Sequence, residues 1–79
     1  MKYGIYAIRD VHTGFLSPAA DINDQSAIRN FEHAVRQEQS LMFSHPEHYS
    51  LFKIGEYDSD TGELYGILPE VKAQATEVF

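Results

Sequence analysis

The chain opens with a run of aromatic, β-branched and small residues, 3–8, in which apolar side chains occupy both odd and even positions. This pattern predicts a strand that is apolar on both faces and lies inside a sheet. Residues 10–14 have turn chemistry, since Asp10 can accept a hydrogen bond from its own backbone and Gly14 tolerates a positive φ. We expect a short edge strand to follow, broken at Pro18, and then a connection over residues 19–23.

The clearest element is an amphipathic helix that begins after Asn23 and Asp24, which are both favourable N-cap residues. Five apolar residues follow at helical spacing and share one face, namely Ala27, Ile28, Phe31, Ala34 and Val35. The outer face is polar. It includes Arg29, His33 and Arg36, a stripe that is either a solvated surface or a contact for a phosphate.

A second hairpin is predicted after the helix, with strands at residues 51–57 and 63–67. The turn between them repeats the Asp-x-x-Thr-Gly pattern of the first turn. The predicted fold is therefore α+β: a small four-stranded antiparallel sheet in the order ββαββ, with one amphipathic helix packed on one face. We expect residues 1–68 to form this single domain, and residues 69–79 to be a tail, either a frayed helix or a helix docked on a partner.

The alternation along the strands divides the sheet into two faces. We expect one set to face the helix: Tyr3, Ile5, Ala7, Phe52 and Ile54. The opposite face would then carry Lys2, Tyr6, Ile8, Leu51, Lys53 and Tyr57. Tyrosines among lysines form a stacking platform for single-stranded nucleic acid, whereas Ile8 and Leu51 suit the core of a homodimer. The residues alone favour the dimer interface and leave the platform open.

Composition limits the classes of protein that the chain can represent. Its 79 residues suffice for one small core, and the absence of cysteine excludes disulfides, thiolate zinc sites and a thiol nucleophile. We expect a globular domain of a reducing compartment. We expect no membrane association, because no window is apolar enough to span a bilayer and the first residues do not resemble a signal peptide.

The net charge of −6 is unevenly distributed along the chain. Residues 1–36 carry four basic and four acidic residues, whereas residues 37–79 carry two basic and eight acidic residues. An acidic protein is a poor general ligand for nucleic acid, because nonspecific affinity comes mainly from neutralised phosphates. The two halves can nevertheless present different surfaces, one of them rich in arginine.

No motif for catalysis or metal binding is strong. His45-x-x-His48, with His12 as a third ligand, has the donor atoms of a zinc or copper site, but an exposed loop explains it as well. The segment that starts at Asp58 fails as a calcium loop, since glycine and glutamate are missing at the required positions. We therefore predict no enzyme, no metal and no cofactor.

Several short segments resemble one protein family in the same order along the chain. They are residues 1–10, Thr13-Gly14-Phe15, residues 27–31, residues 43–47 and residues 49–58. Together they resemble the small nonstructural protein of gokushovirus-type microviruses, to which DNA binding is ascribed. These viruses are phages with circular single-stranded DNA genomes. The resemblance covers residues 1–68. It implies a protein that is made in the infected cell, is absent from the virion, and acts in the switch to single-stranded DNA synthesis or in packaging.

We accordingly expect a nonenzymatic homodimer in the host cytoplasm that binds single-stranded DNA weakly and in a salt-sensitive way. The resemblance transfers no DNA-contacting residues, so the candidates come from the sheet face and the helix stripe: Lys2, Tyr6, Arg9, Arg29, Arg36, Lys53 and Tyr57. One alternative is an acidic module that docks on a phage replication protein without contacting DNA. Another is a DNA mimic that uses Glu47, Glu56, Asp58, Asp60 and Glu63.

Overall fold

Five strands and one long helix form the domain in a computed structural model that describes residues 1–79. In chain order the elements are β1 (Lys2–Asp10), β2 (Gly14–Phe15), β3 (Ala19–Asp21), α1 (Asp24–Val35), the short α2 (Leu41–Ser44), a 3₁₀ turn (Pro46–His48), β4 (Tyr49–Asp58), β5 (Leu64–Gln74) and a last 3₁₀ turn (Ala75–Glu77). The predicted α+β class is confirmed.

All strand pairs are antiparallel, as predicted, and the sheet has the order β2 and β3 on one edge, then β1, β4 and β5. The predicted ββαββ order omits one strand of the structure, β3. Residues 19–21, which we predicted as a connection, pair with Gly4, Ile5 and Tyr6 of β1. Pro18 interrupts the ladder as expected, but the chain then returns to the half of β1 that β2 leaves unpaired.

Helix α1 begins where its capping sequence predicts. Asn23 is the N-cap, and its side-chain Oδ1 accepts a hydrogen bond of 2.8 Å from the Ser26 backbone N–H. Ala27, Phe31 and Val35 are buried at successive turns of the helix. The core also contains Tyr6 and Tyr49 from the sheet, and the remaining members are Leu51, Ala75 and Val78. The helix covers one face of the sheet and leaves the other open.

The predicted assignment of the two faces is inverted. Tyr6 and Leu51 are buried in the core with α1, so theirs is the face that the helix covers. The sequence could not decide this, because both faces of β1 are apolar. Tyr57 and Lys53, which we predicted on one face, lie on opposite faces. The register shifts between Ile5 and Tyr6 and leaves one residue of β4 unpaired, and such a bulge reverses the alternation.

The predicted C-terminal tail is part of the sheet. Residues 70–74 pair with β4, and the 3₁₀ turn that follows buries Ala75 completely. Val78 is buried as well. The expected boundary at residue 68 is therefore wrong. Pro69 does not end the strand, because it lies where β5 has no partner on β4 and its missing N–H leaves no ladder hydrogen bond unmade.

Phe31 is 3% exposed, and truncation of its side chain should destabilise the domain strongly. We expect Phe31→Ala to lower the free energy of unfolding by about 3–5 kcal/mol, because it removes a buried ring between helix and sheet. Urea denaturation followed by circular dichroism measures this change. The exposed Gln25→Ala in the same helix is the control and should change the value by less than about 0.5 kcal/mol. A cost below about 1 kcal/mol for Phe31→Ala would contradict the packing described.

Candidate nucleic-acid interface

The face of the sheet opposite α1, called here the open face, consists of four rows of directly paired residues. Residues opposite each other in antiparallel strands share a face, so the register defines its members. The rows are Phe15, Arg9, Ser50 and Gln74; Ala7, Phe52 and Val71; Ala20, Ile5, Gly55 and Gly66; and Tyr3, Tyr57 and Leu64. Arg9 is its only charged residue.

Every acidic residue of the strands lies on the other side of the sheet, the side that α1 covers. They are Asp10, Asp21, Glu56, Asp58 and Glu70. Contacts support this placement for two of them. Asp21 accepts a hydrogen bond of 2.9 Å from Asn30 of α1, and Glu70 lies 3.7 Å from Lys72, which itself contacts α1. The register thus separates an acidic side from an open face without carboxylates.

Two pairs of aromatic rings lie on the open face. The ring centroids of Tyr3 and Tyr57 are 6.3 Å apart, and those of Phe15 and Phe52 are 5.3 Å apart in an edge-to-face arrangement. Phe15 is 45% exposed, and the other three rings are half-buried. Because exposed ring faces stack on nucleobases without regard to sequence, the open face has the side chains of a stacking platform.

The basic and aromatic residues predicted as a DNA site do not share one surface. Arg9 and Tyr57 lie on the open face. Tyr6 is 5% exposed and belongs to the core, so its ring cannot stack on a base. Lys2 and Lys53 line a polar cavity of about 280 Å³ on the helix side. The prediction that these five residues form one platform is therefore wrong.

The two helix arginines lie apart from the open face. Arg29 donates a hydrogen bond of 3.2 Å to Ser26 on the surface of α1. Arg36 donates one of 3.2 Å to the backbone carbonyl of Val78 and so holds the C-terminal turn. The stripe that the sequence predicts exists on the helix, but one of its guanidinium groups already has a structural partner.

Asp24 joins three elements beside the polar cavity. Its carboxylate accepts hydrogen bonds from the Tyr6 hydroxyl, at 2.5 Å, and from the Lys72 ammonium, at 3.0 Å. These bonds, first that of Tyr6 and then that of Lys72, lower the pKa of Asp24. Burial and the same hydrogen bond raise the pKa of Tyr6, and contact with Asp24 raises that of Lys72. The cluster ties β1, α1 and β5 together.

The carboxylates proposed as a DNA mimic are not evenly spaced. Asp58 and Asp60 lie 3.9 Å and 2.6 Å from the N-terminal ammonium, and Glu56 lies 3.5 Å from Lys53. Glu47 is near the opposite end of β4, 3.6 Å from His48. Because most of these groups already have cationic partners and they lie at two ends of the strand, the mimic hypothesis is not supported.

Three histidines meet beside the start of β4. The ring of His48 lies 4.6 Å from that of His12, edge to face, and 5.4 Å from that of His45, stacked. On sequence grounds we considered these three histidines as metal ligands. Their rings pack against one another, and no group of three His, Asp or Glu side chains is placed to hold a metal ion.

Comparisons with known proteins give one match. A family model described as Phage ORF5 protein matches residues 3–78. This match includes residues 69–78, which the sequence analysis had set apart as a tail. No curated protein and no solved structure matches the chain. None of the helices is both long enough and apolar enough to cross a membrane.

The lowered pKa of Asp24 predicts a loss of stability in acid. A carboxylate with a depressed folded-state pKa stabilises the protein above its unfolded pKa of about 3.9, and this stabilisation disappears as the pH falls through the folded value. Asp24→Asn should therefore lower the thermal midpoint at pH 6 and make it fall less steeply from pH 5 to pH 2.

Thermal melts at several pH values check this expectation. Some dependence should persist in the variant, because the pKa values of Asp10 and Asp21 are lowered as well. The exposed Glu38→Gln is the control and should leave the profile unchanged. Parallel profiles for Asp24→Asn and the unchanged protein would show that the carboxylate of Asp24 does not couple to folding.

Proposed function

The chain belongs to the Phage ORF5 protein family, and on that premise we propose that it is a nonenzymatic protein that binds single-stranded DNA through the open face. It acts in the infected host cytoplasm, in genome replication or in the switch to single-stranded DNA synthesis and packaging, as a microvirus-type nonstructural protein that is not part of the virion. One observation carries the proposal: a chain with twelve acidic residues has none of them on the open face.

Charge alone makes this face the most favourable approach for a polyanion. Phosphates are repelled by carboxylates and attracted by Arg9, the only charged residue of the face. The four aromatic rings add base stacking, which is worth about 1–3 kcal/mol per base and does not depend on sequence. The interaction we propose therefore relies on stacking more than on ion pairs.

Affinity should be weak for one protomer, because the face supplies a single cation. For single strands the slope of log K against log salt is about −0.7 per phosphate contact, so one Arg9 gives a shallower dependence than the salt-sensitive binding expected from the sequence. A homodimer would present two open faces to the same strand. The exposed apolar side chains of Leu41, Phe43 and Phe79 are not members of the open face and are available for self-association.

A second candidate is a protein-interaction module that docks its acidic side on a basic partner, such as a phage replication protein, with no DNA contact. The scatter of the basic residues favours it. Lys53 and Lys72 each lie within 4 Å of carboxylates, and the arginines lie on different surfaces, so no two cations of the chain converge on the open face. Binding to DNA distinguishes the two candidates.

Matched pairs of variants test which surface contacts DNA. We expect Tyr57→Ala, on the open face, to raise the Kd for fluorescent oligothymidylate about tenfold at low salt, because one stacking ring is lost. Tyr65→Ala is the control: this tyrosine is 45% exposed and lies opposite Glu56 on the helix side of the sheet. Fluorescence anisotropy measures both.

Arginine variants complete the test. Arg9→Gln should weaken binding and reduce its salt dependence, whereas Arg29→Gln on the helix surface should change neither. Equal effects of Arg9→Gln and Arg29→Gln would show that the open face is not the contact surface. No anisotropy change for the unchanged protein at low salt would refute DNA binding and favour the protein-interaction module.

A further inference from the structure

Strand β5 is the longest strand of the chain and forms a free edge of the sheet. It pairs with β4 on one side, and no strand pairs with its other side. An edge strand of this length presents a row of unpaired N–H and C=O groups to which another strand can bind. Its apolar side chains are exposed as well, since Leu64, Leu68 and Val71 are 71%, 88% and 52% exposed.

Two features that protect edge strands are present in β5, but the third is missing from its middle. Pro69 has no N–H to donate, and residues 67–69 have no partner on β4. Proteins also place charged side chains on edges that must stay unpaired, yet residues 64–69 include none. Leu68, at the centre, is instead the most exposed of the large hydrophobic side chains. This composition favours an edge that another chain covers.

The irregular stretch makes the two halves of β5 equivalent. Leu64 and Val71 lie on the open face, and Tyr65 and Glu70 lie on the helix side. In a regular strand, residues separated by an odd number of positions point to opposite faces. The unpaired residues 67–69 shift the alternation, so the members of each of these pairs return to one face. Two copies of β5 that run in opposite directions can therefore place matching faces opposite each other.

We propose that two copies of this chain dimerise by antiparallel pairing of their β5 strands, about a twofold axis between Ile67 and Leu68. Each residue of one copy then lies opposite a residue of the partner on the same face, in the pairs Leu64–Val71, Tyr65–Glu70 and Glu63–Lys72. Apolar side chains meet on the open face. Opposite charges meet on the helix side, where Lys72 already contacts Asp24.

Neighbouring registers fit less well. A slip by one residue would place every open-face residue opposite a helix-side residue. A slip by two residues in one direction would place Glu63 opposite Glu70, and like charges directly opposite are destabilising. In the other direction it would place Leu64 opposite Ala73, which lies on the helix side beside Leu51. Face and charge therefore select one register, with a second copy of the chain as the occupant.

The dimer would have one continuous sheet. A twofold axis perpendicular to that sheet keeps both open faces on the same side, with one Arg9 from each copy. The pairing of the strands does not depend on DNA binding. If the proposed function holds, this arrangement lets one DNA strand cross both open faces.

Cysteine cross-linking tests the register, because the chain has no cysteine of its own. Opposite residues of antiparallel strands have Cα atoms about 4.5–5.5 Å apart, a distance that a disulfide can span. A mixture of Leu64→Cys and Val71→Cys chains should form a disulfide-linked dimer with a mild oxidant. Either variant alone should give only background, since the register places two copies of one of these residues about 20 Å apart.

Matched leucine variants test which surface holds the dimer together. Leu68→Lys should raise the Kd of the dimer by about tenfold or more, because it places two like charges beside the twofold axis. Leu41→Lys is the control: this leucine is 65% exposed but belongs to α2. Sedimentation over a series of protein concentrations measures both.

The outcomes separate this inference from the proposed function. A monomer at every concentration overturns the inference, and so does efficient cross-linking of Leu64→Cys alone, which requires another register. Dissociation by Leu41→Lys but not by Leu68→Lys also overturns it and places the interface at the exposed side chains of Leu41, Phe43 and Phe79. A cross-linked dimer that does not bind oligothymidylate supports the inference and refutes the proposed function alone.

Discussion

The hydrogen bond from the Tyr6 hydroxyl to the Asp24 carboxylate joins the first turn of α1 to the face of the sheet that the helix covers. A buried phenol needs a polar partner, and Asp24 supplies one from the first turn of α1. The Tyr6 ring passes over Gly4, where a Cβ atom would lie only 2.5 Å from the hydroxyl. Lys72 adds the edge strand β5 to the same carboxylate. The cluster thus ties the start of α1 to the face that contains Tyr6.

The separation of charge follows from that choice of face. Strand residues alternate between the two sides, so the same register that buries Tyr6 places Asp10, Asp21 and Glu56 on the helix side. There they lie near Lys53, Asn30 and the helix, and the opposite side keeps aromatic, aliphatic and small residues with Gln74 and a single charged residue, Arg9. The negative charge of the strands therefore lies on the helix side, and the net charge of the chain is a poor guide to the open face.

Local chemistry was sufficient to predict the elements of the fold from the sequence. The Asn23 cap and the spacing of Ala27 and Phe31 located α1, and both Asp-x-x-Thr-Gly turns contain a glycine with positive φ, at 99° for Gly14 and 78° for Gly62. Long-range features were not predictable. Strand β3 depends on an unpaired half of β1, and residues 69–79 depend on packing against the core.

The candidate site was only partly predictable for the same reason. The sequence grouped Tyr3, Phe52 and their neighbours correctly as one face, but it assigned that face to the helix, because two apolar faces give no preference. Tyr57 does lie on the face away from the helix, as predicted, but its grouping with Lys53 was wrong because the unpaired residue of β4 shifts the alternation by one position. The acidic residues were the nearest available sequence signal for the assignment of the faces. Glu56 and Asp58 both lie on the side of β4 opposite the open face.

The most direct test of the central claim maps the contact surface by NMR during titration with oligothymidylate at low salt. The account predicts that the ring proton signals of Tyr3, Phe15, Phe52 and Tyr57 shift with a common saturation curve, while those of Tyr6 and Phe31 in the core do not. Shifts confined to the surface of α1 or to the polar cavity around Lys2 and Lys53 would contradict it.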